Sequence, residues 1–168
     1  MPILNSTLSD LDTILSLYDS AIEHHKKVFH RHWQGFERTL IENEIKEGRQ
    51  FKVVVDGHVV CIFAITFNDP LIWKEKDKIP SLYLHRIVTH PSYRGNFYVR
   101  MIVAWAKEYG KQHGKRFIRM DTFGDNQKLI DYYVQCDFTF LGLTTVEKAR
   151  DLPLHYEGAS LSLFEIEI

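Results

Sequence analysis

The sequence predicts an α/β protein in which a mixed sheet of about seven strands is flanked by helices. Three observations predict it. Strand-like and helix-like stretches alternate through the second half, an order that needs parallel pairing with right-handed crossovers. Asp56-Gly57 lies between the hydrophobic runs FKVVV and HVVCIFAITF, the pattern of a two-residue hairpin turn. The strand from Ser81 to about Thr89 runs through His90-Pro91 and a Gly-containing turn directly into a helix.

Taken in order, Ile3-Leu4 is a short first strand. Ser9 is placed to cap a helix running to about Lys27, with Leu11, Ile14, Leu15, Tyr18 and Ile22 on one face. A second helix covers Phe36 to Lys46, turns Leu40, Ile41 and Ile45 inward and stops at Gly48. The hairpin fills Gln50 to Phe67. Asn68-Asp69-Pro70 breaks it, and LIWKEKDKIP reads as a charged, solvated loop. The helix from about Phe97 to His113 carries Met101, Ile102, Trp105 and Tyr109 as its apolar stripe, and Gly114 closes it. Arg116 to Thr122 is a strand, and Asp125 caps the helix NQKLIDYYVQ. Asp137 to about Leu143 is a further strand, and ASLSLFEIEI is the last. Its alternation shifts at Leu163-Phe164, which calls for a bulge or a face buried on both sides.

A chain of 168 residues is expected to form one domain over 1–168 with a proper core. Hydrophobic residues at 45% and charged residues at 26% are ordinary for a globular protein. A net charge of −1 argues against nucleic acid as a partner. No basic region precedes an apolar core at the N-terminus, and the longest apolar run, Val59 to Phe67, is far short of a membrane span. A cytoplasmic protein without a membrane partner is expected, with Cys61 and Cys136 as reduced, buried thiols. His24, His25, His30 and His32 invite a metal, but their spacing matches no usual ligand motif, so no metal is expected. The aromatic Phe29, Trp33 and Phe36 read as a loop packed onto the core. The apolar last strand is a candidate edge for a homodimer.

The stretch Leu84 to Val99 makes an anion site by construction. The first amides of the following helix lack internal partners and sit at the positive end of its dipole. Arg94 adds a planar cation suited to phosphate oxygens.

That stretch resembles the signature of the GNAT N-acetyltransferase superfamily, in a form of bacterial type. In that family a strand ends in hydrophobic-x-Pro-x-aromatic-Arg-Gly, and a turn of pattern Arg/Gln-x-x-Gly-x-Gly/Ala wraps the pyrophosphate of acetyl-CoA. Arg94, Gly95, Asn96, Phe97, Tyr98 and Val99 fill the six places. Phe97 stands where the family usually has Gly, and Val99 where it has Gly or Ala. A Cβ and a ring therefore sit where bare backbone would approach phosphate. A second motif, NQKLIDYYVQCDF, resembles the pattern Asn-x-x-Ala-x-x-x-Tyr-x-x-x-Gly-Phe, with Asn126, Tyr133 and Phe138 in register and Leu129 and Asp137 as departures. Asn126 and Tyr133 lie two helical turns apart, which puts both on one face.

The resemblance implies the GNAT fold: a mostly antiparallel twisted sheet with one splayed parallel pair. It implies acetyl-CoA as cosubstrate and a primary amine of a small molecule or peptide as acceptor. Ile87, Val88 and Thr89 would offer main-chain groups to the pantetheine arm, the Val88 amide polarising the carbonyl. Arg94 to Val99 and Asn126 would bind the cofactor, and Tyr133 would act as general acid to the CoA thiolate. A thiol titrates near 8.5 and a tyrosine near 10, so the proton or hydrogen bond can pass that way. The family often places a glutamate on the key strand as base, but Ser81 to His90 holds no acid. His85 could serve instead, directly or through water, or it is a sheet histidine facing solvent. Asp121 could bind a cationic amine or relay its proton, or it pairs with Arg119 or a lysine. The segment joining the first two helices commonly walls the acceptor site, which makes Trp33 a substrate contact. The alternative is a GNAT-fold protein that binds CoA or acyl-CoA without turnover.

Overall fold

Asp56 and Gly57 both take left-handed backbone, at φ 50° and 77°. They close the hairpin between β2 (Gln50–Val55) and β3 (His58–Thr66). The register shifts by one residue between Val53 and Val54, and beyond that bulge Phe51 faces Phe63, with their rings stacked at 5.4 Å. The computed structural model describes residues 3–28, 35–146 and 160–168.

The remaining elements follow the expected order. β1 is Ile3–Asn5, α1 Leu11–Val28, α2 Arg38–Lys46, α3 Pro70–Trp73, β4 Ser81–Thr89 and α4 Tyr98–Gln112. β5 is Phe117–Phe123, α5 Gln127–Gln135, β6 Thr139–Thr145 and β7 Ser160–Glu167. The seven strands hydrogen-bond in the order β1-β2-β3-β4-β5-β7-β6. β4 and β5 run parallel through Ser81↔Phe117, Leu82↔Ile118 and Tyr83↔Arg119, whereas β1–β2, β2–β3, β5–β7 and β6–β7 are antiparallel. This is the mixed α/β sheet flanked by helices that the sequence predicts.

The chain divides into two compact units. The first comprises Met1–Ile65 and His85–Ile102. Its core joins Leu11, Ile14, Leu17, Tyr18 and Ala21 of α1 to Ile41 and Ile45 of α2, Ile62 of β3 and Val88 of β4. The second comprises Thr66–Leu84 and Val103–Ile168, with Ile72, Trp73, Tyr83, Val146, Leu161 and Leu163 clustered together. Among the described residues no helix is long and apolar enough to cross a membrane. Cys61 and Cys136 are buried free thiols, and burial pushes Cys61 up to about 11.

Several local expectations are corrected. Ser9 does not cap α1. It lies inside a 3-10 turn, Leu8–Asp10, whose start is fixed by the Thr7 N–H donating to Asp10 Oδ2 at 2.7 Å. Leu40 is exposed, and the inward place in α2 goes to Glu44. The segment after β3 is no plain loop: Pro70 opens α3, and Lys74–Lys78 makes a 3-10 turn. On α4 the buried face is Ile102, Val103 and Ala106, while the rings of Trp105, Tyr109 and His113 stack along a half-exposed side. Asn126, not Asp125, caps α5. In β7 the second of the two expected alternatives holds, since Leu161 to Phe164 are all buried on both faces, while a register irregularity lies in the partner strand between Phe140 and Gly142. β7 sits between β5 and β6, so the outer strand on that side is β6. A dimer built by strand pairing would use β6 rather than the last strand.

Candidate active site

The turn after β4 is built by local hydrogen bonds. The Ser92 N–H donates to His90 Nδ1 at 3.1 Å and opens the 3-10 turn Pro91–Tyr93. Asn96 Nδ2 donates to the Tyr93 carbonyl at 2.7 Å. Gly95 has φ 87°, and Phe97 has φ 55°. Phe97 thus keeps the left-handed backbone that glycine adopts most readily, at a cost of about 1–2 kcal/mol for a residue with a Cβ. Its ring is 52% exposed, with the Arg100 guanidinium 5.5 Å from its centroid. Arg94, Gly95 and Asn96 are exposed, whereas Tyr98 and Val99 are buried, so those two could offer a ligand only main chain. The Arg100 N–H is occupied by the Phe97 carbonyl at 3.0 Å.

Replacing Phe97 by Gly is expected to relieve the backbone strain and forfeit a weak exposed cation–π contact. The net gain is about 0.5–1 kcal/mol, or roughly 2 °C in Tm. Differential scanning fluorimetry reads the shift. A fall in Tm would mean that the ring does more than the strain costs.

Upstream of the turn, Val88 is buried in the core of its unit, and Ile87 and Thr89 are half-buried. Thr89 Oγ1 donates to Cys61 Sγ at 3.8 Å, and the His90 N–H donates to the Val60 carbonyl at 2.8 Å. His85 is half-buried rather than fully solvent-facing. Burial, then the Arg86 and Arg49 charges, pull its imidazole down to about 3, so the ring is uncharged near neutrality.

The sequence reading missed the group beside it. Arg86 interrupts β4 with left-handed backbone, φ 51°. Its guanidinium pairs with the buried Glu44 carboxylate and lies over the rings of Tyr18 and Phe36, at 5.4 and 5.0 Å. Gln50 Nε2 donates to Tyr18 Oη at 2.7 Å and to Glu44 Oε1 at 3.4 Å, and Arg49 Nη1 approaches Glu44 at 3.7 Å. This network ties α1, α2 and β2 to the middle of β4. Its sequence signal is an acid on the apolar stripe of α2 and a basic residue in phase with Leu82, Leu84 and Val88.

In the second unit, Tyr133 is buried in an aromatic cluster. Its ring centroid lies 5.3 Å from Phe164, 5.3 Å from Tyr132 and 6.0 Å from Phe138. Asn126 is not part of the α5 face. Its Oδ1 accepts the Leu129 N–H at 3.1 Å, which commits that oxygen to capping.

Asp121 does not pair with Arg119. Arg119 is buried, with Nε on Glu165 at 3.1 Å and Nη1 on the Lys76 carbonyl at 2.8 Å. Asp121 instead lies near Asp69, their carboxylate oxygens within 4.8 Å. Burial pushes Asp121 up to about 7. Burial, then the charges of Asp121 and Asp77, push Asp69 up to about 8. Asp77 Oδ1 accepts both the Asp69 N–H at 2.8 Å and the Tyr83 hydroxyl at 2.6 Å. Two carboxyls with raised values near neutrality can hold or pass a proton there. Trp33 lies outside the described residues, as do His30 and His32.

Comparison with solved structures places the fold. A GNAT-family acetyltransferase of Listeria monocytogenes superposes with a TM-score of 0.77 at 22% identity, covering 99% of this chain and 94% of that one. The ribosomal-protein-alanine N-acetyltransferase of Brucella melitensis gives 0.70 at 16% identity, with each chain covered in full (100%). The yncA protein of Salmonella typhimurium, solved with its cofactor acetyl-CoA, gives 0.71 at 13% identity, covering 99% and 93%. No curated relative matches the sequence. The profile of the Acetyltransferase (GNAT) family matches residues 11–138, most of the chain and both motifs, so the protein belongs to the GNAT acetyltransferase family.

Proposed function

We propose that the protein moves an acetyl group from acetyl-CoA to a primary amine of a small molecule or peptide by direct attack. The amine nitrogen bonds to the thioester carbon, the C–S bond breaks, and the thiolate takes a proton from Tyr133. The nitrogen gives up its own proton on the acceptor side. Arg94, the main chain of Gly95 to Val99, and Asn126 bind the cofactor. Ile87 to Thr89 present main-chain groups to the pantetheine arm, and Trp33 contacts the acceptor.

For the base, Asp121 is better matched than His85. A carboxyl raised to about 7 accepts a proton at neutral pH, while an imidazole lowered to about 3 is a weak acceptor. His85 acts in this scheme as a neutral hydrogen-bonding group beside the reaction. Asp121 also supplies negative charge for a cationic amine.

The backbone at Phe97 carries the reading. Where the family's glycine is missing, the left-handed conformation that the turn needs is still adopted. The cosubstrate of the Salmonella protein and the ribosomal-protein alanine of the Brucella enzyme agree with this chemistry. The alternative, binding without turnover, draws on one observation: the half-exposed Phe97 ring stands at the phosphate turn.

Calorimetric titration with acetyl-CoA, with free CoA beside it, tests the reading. Saturable binding in the micromolar range is expected, about −8 kcal/mol, followed by CoA release when a panel of amines and N-terminal peptides is added. No binding at millimolar ligand overturns the cofactor reading. Binding without release from any amine favours the non-catalytic alternative.

A further inference from the structure

We infer that His24, near the end of α1, is a phosphate ligand for bound CoA alongside Arg94, and that it takes up a proton as the ligand binds. The inference rests on the acetyl-CoA reading above.

Helix α1 brings His24 Nδ1 to 3.5 Å from Arg94 Nη1, although the two are 70 residues apart in the chain. An imidazole nitrogen facing a guanidinium must be unprotonated, because both groups would otherwise be donors. Among the described residues Arg94 has no carboxylate partner. Lys27, one turn beyond His24, adds a second cation, and His25 is the neighbouring ring. The nearby acid on the helix, Glu23, is already paired with Lys26 at 3.0 Å. Basic groups therefore converge from α1 and from the turn without a counterion between them among the described residues.

Burial, then the charges of Arg94 and Lys27, hold His24 below its ordinary value. A phosphate group placed against Arg94 and His24 inverts that balance. It offers acceptors to both, and it makes the protonated imidazole the favoured form. Affinity for CoA then rises as pH falls through the imidazole range.

The test is calorimetry of the full chain with CoA, in two buffers of different protonation enthalpy, comparing the wild type with His24→Gln. The CoA phosphate itself titrates near pH 6, so the difference between the two proteins is the readout. At pH 6.5 the wild type is expected to take up about half a proton more than the variant. It should gain about fivefold in relative affinity between pH 8 and pH 6, and match the variant at pH 8. Equal proton counts and parallel affinity curves overturn the role of His24 while leaving CoA binding intact. If the wild type itself does not bind CoA at millimolar concentration, the cofactor reading fails and this inference with it. His24 is exposed, so a Tm unchanged between the two proteins is expected and confirms that the comparison is made on folded protein.

Discussion

Tyr133→Phe is expected to lower kcat about 100-fold while leaving Tm and the KM for acetyl-CoA close to those of the wild type. The split follows from the burial of the ring. The phenyl ring of the variant keeps the contacts to Phe164, Tyr132 and Phe138, which lie 5.3 to 6.0 Å away centroid to centroid. Only the hydroxyl is lost, and that costs no more than about 1 kcal/mol of stability. A proton donor to the departing thiolate acts after the cofactor is bound, so its removal lowers the rate and not the affinity. Steady-state kinetics on whichever amine the panel identifies separates the outcomes. An unchanged kcat would remove Tyr133 from the chemistry. A raised KM with an unchanged kcat would make it a binding group only.

The fold was legible where local chemistry decides the outcome. Asp56-Gly57 can hardly be anything but a tight hairpin turn, and the strand-to-helix passage at His90 to Val99 is written in Pro91, Gly95 and the helix that follows. The misplaced boundaries have local causes too. Ser9 and Thr7 are both competent caps, and the reciprocal partner Asp10 selects Thr7. Asp125 and Asn126 compete in the same way, and the Leu129 N–H selects Asn126.

What was not legible depends on contacts distant in sequence. Glu44 and Arg86 each fall on an apolar face in the sequence, but nothing local pairs them until α2 is laid against β4. Each then supplies the partner that makes the other's burial tolerable. Burial raises both Asp69 and Asp121, and Asp69 is raised further by the charge of Asp121, which lies 52 positions away in the chain. No periodicity records that approach. The His24–Arg94 contact is of the same kind.

Asp121→Asn carries the other large effect, because it should raise stability and lower activity together. A carboxyl whose folded value lies above its unfolded one contributes stability fully below the unfolded value, and loses it as pH rises through the folded one. For Asp121 these bounds are 3.8 and about 7. At pH 4 the aspartic acid is as neutral as asparagine, so wild type and variant should melt together. By pH 8 the wild type must hold a charge in a half-buried place near Asp69. The full shift corresponds to about 4 kcal/mol, which partial exposure reduces to about 1–2 kcal/mol. The variant is therefore expected to melt about 3–6 °C higher at pH 8. Its kcat should fall about 100-fold, and the wild-type rate should decline below about pH 7, where the base becomes protonated. Thermal melts at pH 4 and pH 8, with a pH–rate profile, resolve the two roles. A pH-dependent gain in Tm with full activity would leave Asp121 an electrostatic burden and return the search for a base to His85. Loss of activity without any gain in Tm would mean that the ionised carboxylate is already compensated in the fold, and that its burial is not what tunes it.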